Sequence, residues 1–175
     1  MHALIVAASG GPDPEDPAVG AAALAAAWSA AAPRCAVEPL VLPAAEPPPP
    51  ARPGDGPAPV GVFVPTTALG LSSVGPPPVA PEVALLGERV GDADLVVVHV
   101  RVLDGAALHS GPAAAAARAA APHAVPVVVL AGRSEVSRRE LAAAGVVGVH
   151  EVGEPWDAGS VGRAARTWAP SWGTL

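Results

Sequence analysis

Short, uninterrupted apolar runs are the feature that most restricts how this sequence can fold. The clearest are residues 3–8 (ALIVAA), 95–98 (LVVV) and 127–130 (VVVL). Runs of this length that are rich in β-branched residues are typical of strands buried on both faces of a parallel sheet. Alanine-rich stretches of helical length lie between them. The alternation predicts an α/β, three-layer Rossmann-like domain with a mainly parallel sheet of about five or six strands.

Turn and cap residues mark where the predicted elements begin and end. Asp16-Pro17 is typical of a helix start, Gly145 of a helix stop and Asp157 of a helix cap. The strands are predicted at residues 3–8, 35–42, 60–65, 94–100, 125–132 and 146–152, and the helices at 17–32, 81–92, 111–121, 134–145 and 157–169.

One proline-rich segment interrupts this alternation. Residues 43–59 read PAAEPPPPARPGDGPAP, a composition that cannot build a core and is typical of an extended linker. A spacer is favoured over a ligand for a proline-binding module. The predicted organisation is a first βαβ part at residues 1–42, the linker at 43–59, and the remainder of the same domain at 60–175.

Charge and cysteine content restrict the partners and the compartment. The formal net charge is -6, and the ten basic residues are all arginines that form no basic tract, which argues against a nucleic-acid partner. The single Cys35 cannot form an internal disulfide, as is usual in a reducing cytosol. No apolar stretch reaches the roughly 18 residues of a membrane span. We therefore expect a cytoplasmic protein that has no membrane partner.

Polar residues at the end of one predicted strand are the first candidates for a functional site. In the segment DADLVVVHVRVLDG, His99 and Arg101 interrupt the apolar run and Asp104-Gly105 closes it. Strand ends at the carboxyl edge are where α/β sheets bind ligands. Each residue also has a purely structural interpretation: Asp104 as the cap of the next turn, and His99 as a hydrogen-bonded or solvent-facing side chain.

The loop after the first strand is a weaker candidate. Ser9-Gly10-Gly11 can receive a phosphate, but the loop lacks a GxGxxG pattern and a plain loop is favoured. The other histidines lack the spacing of a zinc site. Cys35 is interpreted as a small buried residue rather than a nucleophile.

An ordered series of short motifs resembles the bacterial-type glycerate kinase family. The resemblance implies ATP-dependent phosphorylation of glycerate with Mg²⁺, and family members are longer, with a second α/β domain inserted into the first. The motifs stand here as Ala93-Asp94-Leu95-Val96, Val125-Pro126-Val127, Leu130-Ala131-Gly132, Arg138-Arg139-Glu140, Ala143-Ala144-Gly145-Val146 and Ala165-Arg166-Thr167-Trp168.

Most positions that carry catalysis in that family are replaced. Its Gly-Glu-Gly-x-x-Asp loop stands here as His99, Val100 and Arg101, with only Asp104 retained, and its Gly-Lys as Ser110-Gly111. Asp104 is therefore the one candidate for a catalytic carboxylate and Mg²⁺ ligand. The candidate groups for binding substrate or phosphate are Arg101, Arg133, Ser9 and Gly10.

Two hypotheses follow. The first is a shortened glycerate kinase-family protein with reduced or lost catalysis, binding a small organic acid or nucleotide, and ATP and Mg²⁺ if it is active. The second is a non-catalytic ligand-binding or interaction module that pairs with another chain or forms a homodimer over the face left by the missing domain.

Overall fold

The computed structural model describes residues 1–8, 17–42 and 81–169. In this part of the chain five strands alternate with helices. The strands are β1 (His2–Ala8), β2 (Ala36–Leu42), β3 (Leu95–Leu103), β4 (Val127–Ser134) and β5 (Gly148–Glu151). The helices are α1 (Pro17–Ala31), α2 (Pro81–Val90), α3 (Gly105–Ser110), α4 (Pro112–Ala120), α5 (Arg138–Ala143) and α6 (Ala158–Trp168).

The five strands form one sheet in the order β2-β1-β3-β4-β5, and every neighbouring pair is parallel. The predicted α/β fold with a parallel sheet is confirmed. The predicted strand at residues 60–65, the linker at 43–59 and the Ser9-Gly10 loop lie outside the described residues.

Helices cover both faces of the sheet and produce two apolar cores. Val96, Val98 and Val100 of β3 face the core that contains α2, α3, α4 and α5. Leu95 and Val97 face the opposite core, where α1 and α6 pack and Trp28 is fully buried. Because successive strand residues point to opposite faces, burial on both sides requires the uninterrupted apolar runs seen in the sequence.

Two helices begin at caps that the sequence predicts in part. Ser137 and Glu140 form a capping box in which each side chain accepts a backbone N–H of the other residue, and this box begins α5. Asp157 caps α6, as predicted, by accepting the N–H of Ser160. Helix α5 therefore begins four residues later than predicted, because the strand before it continues to Ser134.

The largest departure from the predicted elements lies around residue 101. Strand β3 continues to Leu103 rather than ending at residue 100, and it is followed by a short helix, α3, that was not predicted. His99 and Arg101 therefore belong to a strand. Within the described ranges, none of the helices has the length and apolar character that a bilayer crossing requires.

Candidate functional site at the carboxyl edge

The strand order of the sheet reverses at one point, and this marks a position at its carboxyl edge. The chain passes from β1 to β2 on one side, and β3, β4 and β5 then follow on the other side of β1. In doubly wound sheets of this order, ligands bind outside the carboxyl ends of the strands where the order reverses. Here that position is between β1 and β3, and β3 carries His99, Arg101 and, directly after it, Asp104.

His99 is a partly buried histidine in the second half of β3. It stands in register with Ala7 of β1 and Leu130 of β4, and the strand alternation places it on the side of Leu95 and Val97. Its Nε2 atom is buried and has no hydrogen-bond partner among the described residues. Burial lowers the pKa of His99, and the nearby Glu154 carboxylate opposes this only in part. The imidazole is therefore neutral at neutral pH.

Arg101 lies two residues farther along the same side and forms an ion pair with Glu154. Arg101 Nε is 3.4 Å from Glu154 Oε2, and the two side chains are 49% and 42% exposed. Glu154 belongs to the turn that joins β5 to α6. The pair thus connects the end of the central strand β3 with a turn that lies beyond β4.

Gly132 of β4 makes room for this turn. A Cβ at this position would lie 2.6 Å from the Arg101 carbonyl oxygen, 3.1 Å from Glu154 Oε2 and 3.3 Å from the Gly153 carbonyl oxygen. Gly153 itself has a φ of +85°, in the left-handed region that favours glycine. The absence of a side chain at Gly132 therefore allows the Glu154 carboxylate to approach the β4 backbone closely.

Asp104 has a structural role in this fold. Its Oδ1 accepts the N–H of Ala107 at 2.8 Å and caps α3. Asp104 has two interpretations from the sequence, a structural cap and a catalytic carboxylate, and this hydrogen bond is the one expected of a cap. Within the described residues, no group of three or more His, Cys, Asp or Glu side chains is placed to hold a metal ion.

Substitutions at Asp104 separate the contribution of its capping oxygen to stability from that of its charge. Asp104→Asn is expected to keep wild-type stability, since Asn and Asp cap helices about equally well, whereas Asp104→Ala is expected to lose about 1 kcal/mol. Thermal unfolding of the two variants measures the difference. Equal losses in both would show that the charge of Asp104, rather than its capping oxygen, stabilises the fold.

Arg133 and Arg101 lie on opposite faces of the sheet. Arg133 stands in register with Val102, so the two share a side of the sheet that is opposite to that of Arg101. Its guanidinium lies 2.6 Å from Glu135, and both side chains are well exposed. The structure therefore divides the two predicted phosphate-binding arginines between the two faces.

Glu154 and Gly132 are the residues of this site that sequence reasoning missed. A signal for Glu154 was present, because an acidic residue follows a glycine directly after the predicted strand at 146–152. For Gly132 the signal was weaker, since it appeared only as the last residue of the Leu-Ala-Gly motif. We refer to His99, Arg101, Gly132 and Glu154 as the edge cluster.

Comparison with known proteins identifies no family. No family model matches the chain, and no curated protein matches it. Among solved structures, the chain is similar to a crystal structure described as a "Putative pilus assembly-related protein" from Burkholderia pseudomallei K96243, with a TM-score of 0.49 and 15% sequence identity over 99% of this chain and 93% of that one. A likeness at this level supports no conclusion about this chain.

Proposed function

We propose that this chain is a glycerate kinase-like α/β domain that has lost phosphoryl transfer and binds a small organic acid, or its phosphate ester, at the edge cluster. The ancestry rests on the motif series between residues 93 and 168. The observation that carries the binding proposal is that one side of β3 presents both a half-exposed arginine and a buried histidine nitrogen that has no hydrogen-bond partner among the described residues.

The edge cluster has the chemistry of an anion site. A guanidinium binds a carboxylate or phosphate through parallel N–H donors. The neutral imidazole of His99 can donate or accept one hydrogen bond at Nε2, according to its tautomer. A small acid that carries a hydroxyl or a second oxygen group beside its carboxylate satisfies both partners. Such an acid also satisfies a buried polar atom that the described residues leave unpaired.

The described residues do not fit Mg²⁺-ATP. Phosphoryl transfer needs carboxylates for the metal and cations around the β- and γ-phosphates. Asp104 is engaged as a helix cap, and Arg101 and Arg133 lie on opposite faces of the sheet, so they cannot hold one phosphate group together. Loss of one electrostatic element of this kind typically costs roughly 10²- to 10³-fold in rate. No phosphoryl-transfer step is therefore assigned to these residues.

A thermal-shift experiment combined with an ADP assay tests this proposal. D-glycerate or 3-phosphoglycerate, at 100-fold excess over its Kd, is expected to raise the Tm of the full chain by roughly 5–10 °C. With ATP, Mg²⁺ and D-glycerate together, ADP is expected to stay at background. The absence of a shift with any of the acids would overturn the binding proposal, and glycerate-dependent ADP would overturn the loss of catalysis.

Two arginine variants locate the binding. Arg101→Gln is expected to abolish the shift. Arg89→Gln is the matched control, since Arg89 is 51% exposed and pairs with one glutamate, Glu38, at 3.5 Å near the amino ends of the strands. Equal losses in the two variants would indicate a general effect of charge rather than binding at the edge cluster.

Self-association, the alternative function, has less support in the described part of the chain. The large apolar side chains that are exposed there are Met1, Val102 and Val147, and they lie on different segments. A homodimer generally requires a contiguous apolar patch. The homodimer remains a proposal of second rank.

A further inference from the structure

We infer that Glu154 is a built-in competitor for the edge cluster: its carboxylate occupies the position beside Arg101 that the acid group of a bound ligand takes, and binding requires its displacement. This inference rests on the proposed function. It adds a regulatory element to that function, since the chain itself supplies an anion that restricts access to Arg101.

The contact between Arg101 and Glu154 is suited to exchange. The nearest N–O distance is 3.4 Å, and about half of each side chain is exposed to solvent. Exposed ion pairs are weak because solvent and salt compete with them. An external carboxylate therefore replaces the contact at low cost.

The turn that carries Glu154 is held at both ends, and Glu154 and Pro155 within it are exposed. At its start, Val152 is buried and donates its N–H to the Ala131 carbonyl oxygen at 2.8 Å. At its end, Asp157 caps α6. The carboxylate can therefore leave Arg101 without loss of either anchor.

Gly132 shows that the site is built around this carboxylate. The absence of a side chain at position 132 leaves room for Glu154 Oε2, which lies 3.1 Å from where a Cβ would stand. The same carboxylate is close enough to His99 to act on its charge state. One internal anion thus contacts Arg101 and also influences the charge state of His99.

Glu154→Gln tests the inference, because it removes the charge and keeps the shape. The Kd of D-glycerate for the full chain, measured by calorimetry, is expected to fall about threefold, the factor for a weak exposed pair in which Glu154 occupies the position about two-thirds of the time. Glu135→Gln is the matched control: Glu135 is 49% exposed and pairs with Arg133 on the other face. It is expected to leave the Kd unchanged.

The outcomes separate this inference from the proposed function. If the wild type binds D-glycerate and Glu154→Gln binds it no more tightly, the competitor role is overturned and the proposed function stands. Binding to Glu154→Gln alone supports the competitor and overturns ligand binding by the natural chain. If neither the wild type nor Glu154→Gln binds D-glycerate, the inference and the proposed function are both overturned. If Glu135→Gln gains as much affinity as Glu154→Gln, the effect comes from net charge and the inference is overturned.

A second measurement needs no ligand. Because the Glu154 carboxylate acts to raise the pKa of His99 against the effect of burial, Glu154→Gln is expected to lower that pKa further. Titration of the His99 ring by NMR in the two proteins measures the change. An unchanged pKa would show that the Glu154 carboxylate does not rest against the edge cluster in solution, and would overturn the inference.

Discussion

Gly132→Ala is expected to lower the free energy of unfolding by about 1–3 kcal/mol, the usual cost of forcing an extra group into a packed site. The added Cβ would lie 2.6 Å from the carbonyl oxygen of Arg101. A backbone atom of a central strand cannot rotate away as a side chain can. Strands β3 and β4 must therefore separate locally, and the Glu154 turn, whose atoms lie 3.1 and 3.3 Å from the added Cβ, must shift as well. Urea unfolding of the variant against the wild type measures the loss.

Gly87→Ala is the control for this substitution. Gly87 lies within α2, is exposed, and has no atom within 4 Å of the position a Cβ would take. The same change there is expected to stabilise the protein by about 0.5–1 kcal/mol, since alanine favours a helix interior over glycine. A Gly132→Ala protein as stable as the wild type would contradict the close approach of the Arg101 carbonyl oxygen to Gly132.

The sheet could be predicted from the sequence because its signal is local. Residues 95–98 and 127–130 are apolar without interruption, and only strands covered on both faces require this pattern. The end of β3 could not be predicted from the same signal. His99 and Arg101 interrupt the apolar run, yet the strand continues, since β4 supplies hydrogen-bonding partners as far as Leu103. Pairing between strands decided a boundary that local composition obscured.

Only the part of the candidate site that follows from a local pattern could be predicted. His99, Arg101 and Asp104 were expected at the carboxyl edge because they end one predicted strand. The structure places Arg101 and Asp104 there, whereas His99 lies in the middle of β3. The side on which Arg133 lies depends on register, and a shift of one residue moves a side chain to the other face. Glu154 reaches Arg101 only through the path of a turn two strands away along the sheet. Neither relationship is encoded in a local pattern.

A second histidine, His150, makes a hydrogen bond that requires its neutral form. On β5, His150 Nε2 accepts a hydrogen bond from Trp168 Nε1 of α6 at 2.8 Å. The indole nitrogen can only donate, so His150 must carry its proton on Nδ1. Gly148 allows this contact, since a Cβ there would lie 2.8 Å from the Trp168 ring. Protonation of Nε2 would break the bond that joins α6 to the edge strand.

Acidification from pH 7.5 to 5.5 is expected to destabilise the protein through His99 and His150. Burial lowers the pKa of both residues. A histidine that is harder to protonate in the folded state binds fewer protons than in the unfolded state, so its contribution is fully present above the unfolded pKa of about 6.5 and is lost as the pH falls below it. Loss of the Trp168 hydrogen bond alone accounts for about 1 kcal/mol. Thermal unfolding across this range is expected to show Tm lower by several degrees, at roughly 2–4 °C per kcal/mol.

Glutamine variants assign this pH dependence to its source. His150→Gln keeps an acceptor for Trp168 but cannot titrate, and His99→Gln removes the buried imidazole, so each is expected to flatten the fall in Tm. His109→Gln, at an exposed position on α3, is the control and should leave the fall unchanged.

Glu140 and Asp157 have pKa values lowered mainly by their hydrogen bonds to Ser137 and Ser160. Their contributions are lost below the ordinary carboxyl range, so a limit of pH 5.5 keeps them out of the measurement. A fall that persists in the His99→Gln, His150→Gln double variant would contradict the assignment.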